Sequence, residues 1–340
     1  MSLVTTRSAQ EIYLCYKNTT NSCLRIPRSF GTLVGLYIVC GFAVLVIVLG
    51  NLLVIISVSH FRVLHTPSNF LCLSLALVDC LVGIIVIPFS AVRSVENCWY
   101  FGDDFCVLHS CFDTFLCLSS IFHLCFISVD RYYAVCDPLL YTTKVTLPLL
   151  CQVIAFCWIA SIVYTFALLY SRKVENQLNS IIPNSTCIGS CSLTFMTLWG
   201  WINFSVLFIP CFLMLGLYVK IFMVARQQAR IIDNMEKTQN TKYDLVSKRE
   251  KKAAKTLGIA VGAYLFCWLP YILYSLIDAG FDFIPPPVIG DFMYWTPYLN
   301  SACNPFIYGF FYPWFRRALM LITTGKIFHK YSSNVNLYQD

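Results

Sequence analysis

The chain has 340 residues, of which 58% are hydrophobic and only 12% are charged, and its formal net charge is +7. Soluble globular domains carry about 25% charged residues, so this composition argues against an ordinary water-soluble protein. The apolar residues form long blocks with almost no charge, separated by short polar links. Such a distribution is typical of a chain whose solvent is lipid.

The apolar blocks predict an all-α membrane protein, a seven-transmembrane helix bundle. A bilayer core of about 30 Å requires roughly 20 consecutive apolar residues per helix, whereas a barrel strand needs only about 10 alternating ones. The predicted spans are about 30–59, 67–94, 103–135, 145–170, 193–226, 247–277 and 284–310. A short amphipathic eighth helix over 311–322 and a tail over 323–340 follow them.

The segment 1–29 is polar and has no apolar core of a signal peptide, so the first span is expected to act as its own insertion signal. Most of the 24 lysine and arginine residues fall in links on the side opposite the N-terminus. Because cytoplasmic links carry the excess of these residues, the N-terminus is predicted to lie outside the plasma membrane. The inner positive charge then faces anionic lipid and does not indicate nucleic-acid binding.

Six of the 18 cysteines fall in the predicted outer segments: Cys15, Cys23, Cys98, Cys106, Cys187 and Cys191. An even number of cysteines in an oxidising compartment predicts three disulfide bonds, but the sequence alone does not choose their pairing. Metal binding is disfavoured because no histidines cluster with these cysteines. Two glycosylation sequons, at Asn18 and Asn184, lie in the same outer segments.

Asp113 is the strongest candidate for a binding residue. An ionisable residue within a span is costly and indicates a functional site. Asp113 follows Cys106 by about two helical turns, which places it about 10 Å below the outer end of the third span. A carboxylate at that depth would attract an ammonium group, because water and salt screen it weakly. The alternative is a carboxylate satisfied by hydroxyl groups, such as that of Tyr298.

Aromatic residues of the sixth and seventh spans are expected around this carboxylate. Aromatic faces bind cations, so the group as a whole predicts an amine pocket, although each ring alone would be ordinary core. The group comprises Trp268, Tyr271, Tyr274, Tyr294, Trp295 and Tyr298.

A second charged cluster, Asp130-Arg131-Tyr132, lies at the inner end of the third span. A simple anchor in the inner leaflet would explain it. Glu250, however, opens the sixth span and can reach Arg131 across the bundle. Such a pair is the two-state element that allostery requires, so we predict a cytoplasmic switch.

Polar residues of several spans are expected to converge near the middle of the membrane. They would hold waters or a small cation, with inert packing as the alternative; the set comprises Asn51, Asp79, Ser120, Asn300, Ser301 and Asn304. Bends are expected where prolines interrupt the spans, at Pro88, Pro210, Pro270 and Pro305.

These features together resemble the rhodopsin-like G-protein-coupled receptors over about residues 30–325. The motifs stand in order along the chain: Gly50-Asn51, Leu-Ser-Leu-Ala-Leu-Val-Asp79, Asp130-Arg131-Tyr132, Trp158, Cys267-Trp268-Leu269-Pro270 and Asn304-Pro305-Phe306-Ile307-Tyr308. Within that class the chain looks like a trace-amine-associated receptor, on stretches that begin at Ser94, Ser120, Lys252 and Phe311.

The resemblance implies a receptor, not an enzyme, that binds trace or volatile amines, couples to a Gs- or Golf-type G protein and raises cyclic AMP, often in olfaction. It implies a pocket of Asp113, Thr114, Cys117, Ile202, Trp268, Tyr271, Ile272, Tyr294 and Tyr298. It implies switch or G-protein roles for Asp130, Arg131, Tyr132, Tyr218, Glu250, Pro305 and Tyr308. Apart from sodium held by Asp79 with Ser120 and Asn304, no cofactor is expected. The implied disulfides are Cys106–Cys191, Cys15–Cys187 and Cys23–Cys98.

Two alternatives within the class stay open. A diamine or polyamine would need a second acid, for which Asp278 and Asp291 near the outer rim are candidates. A neurotransmitter receptor coupled to another G protein is the other. Catecholamine receptors carry serines along the fifth span, whereas residues 201–206 here read Trp-Ile-Asn-Phe-Ser-Val, which favours an apolar or simple aromatic amine. Tyr264 stands where the class usually has phenylalanine.

Other classes of membrane protein fit less well. A retinal-binding opsin needs a lysine in the seventh span, where this chain has Tyr298. A transporter would show inverted repeats, which we do not detect. The catalytic motifs of intramembrane enzymes are missing from the sequence.

Overall fold

The computed structural model describes residues 14–17, 19, 21–178, 187–191, 197–236, 259, 262–274, 277 and 287–338. Within these ranges the regular secondary structure is helical, with two isolated β-bridges on the outer side, and the predicted all-α fold is confirmed. The helices are α1 (Phe30–His60), α2 (Pro67–Glu96), α3 (Asp103–Cys136), α4 (Pro138–Lys144), α5 (Leu147–Leu178), α6 (Thr197–Glu236), α7 (Gly262–Tyr274), α8 (Pro287–Phe311) and α9 (Pro313–Thr323).

Five of these helices, α1, α2, α3, α5 and α6, are long and apolar enough to cross a membrane. The sixth span is represented by the shorter apolar helix α7. The seventh is α8, whose 25 residues extend about 37 Å at 1.5 Å per residue. Large apolar side chains such as Phe42, Ile159 and Phe212 are more than half exposed, as expected for surfaces that face lipid.

Some helices run further than their apolar blocks. α5 and α6 continue to Leu178 and Glu236, past the predicted ends at 170 and 226, because the lysine, arginine, glutamine and glutamate residues that follow are good helix formers. α4, on the inner side, was not predicted. Parts of the predicted sixth and seventh spans, 247–258 and 284–286, lie outside the described residues.

α2 is interrupted by a π turn over Val82–Val86, just before Pro88. Proline cannot donate the helical hydrogen bond at its position, and π turns often mark functional sites. The turn faces α3, where the carbonyl oxygen of Val86 lies 3.2 Å from Nε2 of His109.

α1 and α8 approach each other closely at Gly50. A Cβ atom at this position would lie 2.9 Å from the ring of Pro305, so only glycine allows the contact. At the inner end, Trp314 and Phe315 of α9 are buried against Val54 and Val58 of α1.

The tail returns to the same place. Leu337 is buried in that cluster, and Oγ of Ser332 lies 2.9 Å from Nε2 of His60. The tail thus packs against the inner end of α1.

The outer side is joined by three disulfide bonds, Cys15–Cys98, Cys23–Cys187 and Cys106–Cys191. The third is the predicted pair. The predicted pairs Cys15–Cys187 and Cys23–Cys98 are wrong, because these four cysteines exchange partners.

The β-bridges explain the exchange. The bridge between Leu14 and Leu24 turns the N-terminal segment back on itself, and the bridge between Ser22 and Ile188 sets Cys23 beside Cys187. The backbone N–H of Cys23 donates to the carbonyl oxygen of Ile188 at 2.9 Å. Cys15 is thereby left on the far side of the turn, next to Cys98.

Candidate functional site

Asp113 lies on α3, partly buried, with a neutral donor on each carboxylate oxygen. The phenol of Tyr298 donates to Oδ2 at 2.9 Å, and the thiol of Cys117 faces Oδ1 at 3.4 Å. Among the described residues no lysine, arginine or histidine forms an ion pair with it; the ion pairs there are Arg25–Glu96, Arg28–Asp291 and Arg131–Asp130. No ion pair among the described residues therefore involves this carboxylate.

Four of the predicted aromatic residues form a continuous wall on α7 and α8, namely Trp268, Tyr271, Tyr274 and Tyr294. The ring centroids of Trp268 and Tyr271 are 6.3 Å apart, those of Tyr271 and Tyr294 5.7 Å, and those of Tyr274 and Tyr294 5.4 Å. Trp295 packs edge-on against Tyr298 at 5.6 Å.

Trp268 lies at the buried end of this wall. It packs with Ile272 and Cys117, and its indole N–H has no hydrogen-bond partner among the described residues. Since Cys117 also contacts Asp113, the wall and the carboxylate belong to one site.

α6 contributes an apolar side to the site, and Phe208 is a member of it that the sequence analysis did not identify. Phe204 and Phe208 have ring centroids 4.5 Å apart and pack against the cluster that contains Trp268. Ser205 is exposed, and its hydroxyl donates to the carbonyl oxygen of Trp201 in the same helix. Ile202 and Thr114 are partly exposed.

Two polar residues behind Tyr298 were also missed. Oγ of Ser90 lies 3.2 Å from the Tyr298 oxygen and 3.3 Å from Nε2 of His109. The signal was present in the sequence, because His109 precedes Asp113 by one helical turn and residues at that spacing share a face.

Of the two candidate second acids, the structure describes only Asp291. Asp291 is paired with Arg28 of the N-terminal segment, with Nη2 and Oδ2 3.4 Å apart. Asp278 lies outside the described residues.

Asp79 is the centre of the predicted polar cluster and is completely buried. Ser120 and Ser301 donate to its Oδ1 at 3.3 and 2.7 Å, and Asn304 donates to its Oδ2 at 2.6 Å. Nearby, Asn51 donates to the carbonyl oxygen of Ser301, while its own Oδ1 has no partner among the described residues. Asn300 is buried as well.

At the inner end, Asp130 is held by three elements. It accepts hydrogen bonds from Ser68 of α2 at 2.8 Å, Tyr141 of α4 at 2.9 Å and Nε of Arg131 at 2.9 Å. Burial raises the pKa of the Tyr141 phenol, so this group stays protonated and donates. Arg131 also contacts Ser68. Glu250, the predicted partner of Arg131, lies outside the described residues.

The other predicted switch residues surround this cluster. Tyr132 and Tyr218 pack around Ile221 of α6, and Nζ of Lys220 lies 5.6 Å from the Tyr132 ring centre. Pro305 and Tyr308 of α8 are buried, and Tyr308 packs against Cys72 and Phe315. The sequons Asn18 and Asn184 lie outside the described residues.

Comparison with known proteins agrees with this architecture. Residues 50–308 match the family described as 7 transmembrane receptor (rhodopsin family). Trace amine-associated receptor 7f of Mus musculus is 51% identical over 337 residues, which cover 98% of this chain and 94% of that protein. Trace amine-associated receptor 7c of Rattus norvegicus is 50% identical with the same coverage, and receptor 7a of that species is 51% identical over 338 residues.

These relatives are multi-pass receptors of the plasma membrane, which are not enzymes. The chain is a receptor that belongs to the rhodopsin family and, within it, to the trace amine-associated receptors.

Proposed function

We propose that this receptor binds the ammonium group of a small monoamine at Asp113 and activates a heterotrimeric G protein of the Gs or Golf type, which raises cyclic AMP. The observation that carries the proposal is a partly buried carboxylate whose hydrogen-bond donors are both neutral. A charge taken out of water requires a counter-ion, and a ligand ammonium supplies one. The names of the relatives, which refer to trace amines, support the same ligand class.

The aromatic wall explains how an amine would be retained. A cation over an aromatic face gains about 0.5–2 kcal/mol. Trp268 and Tyr271 belong to the same cluster as Cys117, which contacts Asp113, and Tyr294 packs against Tyr271. These contacts favour a ligand in which the ammonium group is attached close to an apolar group.

The apolar character of α6 favours a ligand whose part beyond the ammonium group is apolar. Phe204 packs towards Trp268, while the hydroxyl of Ser205 is bound to its own helix. A catechol would find no described hydroxyl partner on this stretch, and its desolvated hydroxyls would be costly. A simple aromatic or aliphatic monoamine fits better, which suits a chemosensory receptor for volatile amines.

Binding of a diamine or polyamine is the second candidate function, and the ion pair between Arg28 and Asp291 disfavours it. The second ammonium would have to displace the Arg28 guanidinium from Asp291. Like charges at this site would repel before any new bond formed.

Signalling would follow from movement at both ends of the bundle. Amine binding draws α3, α7 and α8 together, and α7, bent at Pro270, swings its inner end outwards. Arg131 then leaves Asp130 and Ser68, or Glu250 if that pair forms, and engages the G protein. A ligand drives such a transition almost to completion only if it binds the open state more tightly by about 5.5 kcal/mol.

We further propose that sodium binds beside Asp79. Carboxylate and hydroxyl oxygens are suitable ligands for a hard cation, and the unpartnered Oδ1 of Asn51 adds an oxygen close by. Asp79, Ser120, Ser301 and Asn304 would hold the ion, which would neutralise the buried carboxylate.

The experiment is a cyclic AMP assay in cells that express the receptor, with a panel of monoamines such as 2-phenylethylamine, the diamine cadaverine and the polyamine spermidine. Monoamines should give the lowest EC50 values. A response to cadaverine or spermidine alone would favour the second candidate, and a response of an untransfected control would discount the assay. Silence towards every amine, with surface expression shown by labelling intact cells, would contradict the proposal.

A further inference from the structure

Four side chains from α2, α3 and α8 form one continuous line of hydrogen bonds that ends on Asp113. Nε2 of His109 lies 3.3 Å from Oγ of Ser90, which lies 3.2 Å from the phenol oxygen of Tyr298, which in turn lies 2.9 Å from Oδ2 of Asp113. The line starts one helical turn above the carboxylate, crosses to α2 and returns through α8.

The Val86 carbonyl fixes the direction of these bonds. Its oxygen lies 3.2 Å from Nε2 of His109 and can only accept, so Nε2 carries the hydrogen. This single hydrogen is shared between the carbonyl oxygen of Val86 and Oγ of Ser90. Ser90 thus accepts from His109 and is free to donate to Tyr298, and Tyr298 donates to Asp113. From His109 to Asp113 the bonds of the line run in one direction, an arrangement in which successive hydrogen bonds strengthen one another.

The line is closed to bulk water. Ser90, His109 and Tyr298 are exposed by only 1%, 2% and 6%, so a lost bond is not readily replaced by solvent and leaves a buried polar group unsatisfied. Around His109 the packing is aromatic, with the Trp99 and Phe89 ring centres 5.4 and 6.2 Å away. Its Nδ1 has no partner in the described part of the chain, so Nε2 alone connects the ring to the line.

We propose that His109 is a positioning residue for amine binding: acting through Ser90 and Tyr298, it holds Asp113 with Oδ2 occupied and Oδ1 directed to the amine. The inference rests on the proposed function. Oδ1 is contacted by the weak thiol donor of Cys117, which an ammonium displaces at little cost. A carboxylate fixed in advance loses less conformational freedom when it binds.

Two isosteric substitutions separate the line from simple packing. The side-chain amide of glutamine places its nitrogen near the position of the histidine Nε2, whereas that of asparagine places it near Nδ1. His109→Gln therefore keeps the donor to Ser90, and His109→Asn removes it. For 2-phenylethylamine we expect His109→Asn to raise the EC50 about threefold to tenfold, the equivalent of one hydrogen bond, and His109→Gln to restore a value close to that of the unmodified receptor.

Combination with Tyr298→Phe provides the decisive comparison, because that change removes the link between Ser90 and Asp113. If His109 acts through Tyr298, His109→Asn should have no further effect on the EC50 in the Tyr298→Phe background. Two losses that multiply would show that His109 contributes packing alone and would overturn the proposal.

A measurement without amine tests the same line independently of the function. The receptor has five histidines, so ¹⁵N-histidine NMR of the purified protein allows the His109 signals to be assigned by their loss in His109→Gln. We expect a ring with its hydrogen on Nε2 and a bare Nδ1, and signals that shift in Tyr298→Phe. A hydrogen on Nδ1, or no shift, would overturn the proposal even if the amine response were intact. Absence of any response to 2-phenylethylamine in the unmodified receptor would count against the proposed function instead.

Discussion

Arg28 of the N-terminal segment neutralises Asp291 at the outer end of α8: Nη2 of the guanidinium lies 3.4 Å from Oδ2 of the carboxylate, and their side chains are 15% and 33% exposed. Asp291 is one of the two candidates for the second acid that a diamine would need, and this pair occupies it. Selectivity for monoamines would then depend on a residue outside the membrane-spanning bundle.

Removal of this cation should relax the selectivity. In Arg28→Ala, Asp291 loses its ion-pair partner, so the EC50 of cadaverine should fall relative to that of 2-phenylethylamine. The pair is partly exposed and its contribution is screened, so the change in the ratio should be about twofold to fivefold. Arg25→Ala is the matched control, because Arg25 pairs with Glu96 of α2. An unchanged ratio in Arg28→Ala would show that Asp291 has no influence on the ligand.

The exchanged disulfide pairing can be read directly from non-reduced peptides. Trypsin cleaves at Lys17, between Cys15 and Cys23, and chymotrypsin separates Cys98 from Cys106. Mass spectrometry should find the Cys15 peptide joined to the Cys98 peptide, and the Cys23 peptide joined to the one that contains Cys187. A peptide that joins Cys15 to Cys187 would contradict the pairing that the two β-bridges set up.

The contact between α1 and α8 predicts a cost for any side chain at position 50. Gly50→Ala would place a methyl group 2.9 Å from the Pro305 ring, and such overpacking destabilises by about 1–3 kcal/mol. The melting temperature of the purified receptor should fall by several degrees. Gly35→Ala, where a Cβ atom meets nothing within 4 Å, should leave it unchanged or slightly higher; equal values for both variants would refute the close approach.

Sodium should stabilise the receptor through Asp79. An ion that binds only the folded protein raises its stability by mass action, so the melting temperature should rise with sodium chloride and not with choline chloride at equal ionic strength. Asp79→Asn removes the charge but keeps the size of the side chain, and it should abolish the difference. A sodium effect that survives in Asp79→Asn would place the ion elsewhere.

The amino-acid sequence predicts most of the bundle because each span must be apolar for about 20 residues. It also predicts the vertical position of Asp113, Asp79 and Arg131, since depth follows from residue count along a helix. Tyr298 was named as a hydroxyl that could satisfy Asp113, and it does donate to that carboxylate.

Lateral relationships were harder to predict. The pairing of Cys15 and Cys23 depends on a turn in the N-terminal segment that has no helical or strand periodicity. The bond from His109 to Val86 depends on the π turn of α2, which contains Val86. Arg28 reaches Asp291 only because the disulfides hold the N-terminal segment over the outer ends of the spans. Each of these contacts joins residues that are distant in sequence, so a local sequence pattern does not predict them.

The central claim, that the charge of Asp113 binds the amine, is tested most directly by Asp113→Asn. This change preserves size and a carbonyl acceptor for Tyr298 but removes the charge. With 2-phenylethylamine and cyclic AMP as the readout, and equal surface expression, we expect the response to be lost or the EC50 to rise at least about a hundredfold, because a partly buried charge pair contributes several kcal/mol. A response of Asp113→Asn equal to that of the unmodified receptor would show that the ammonium binds elsewhere and would contradict the account.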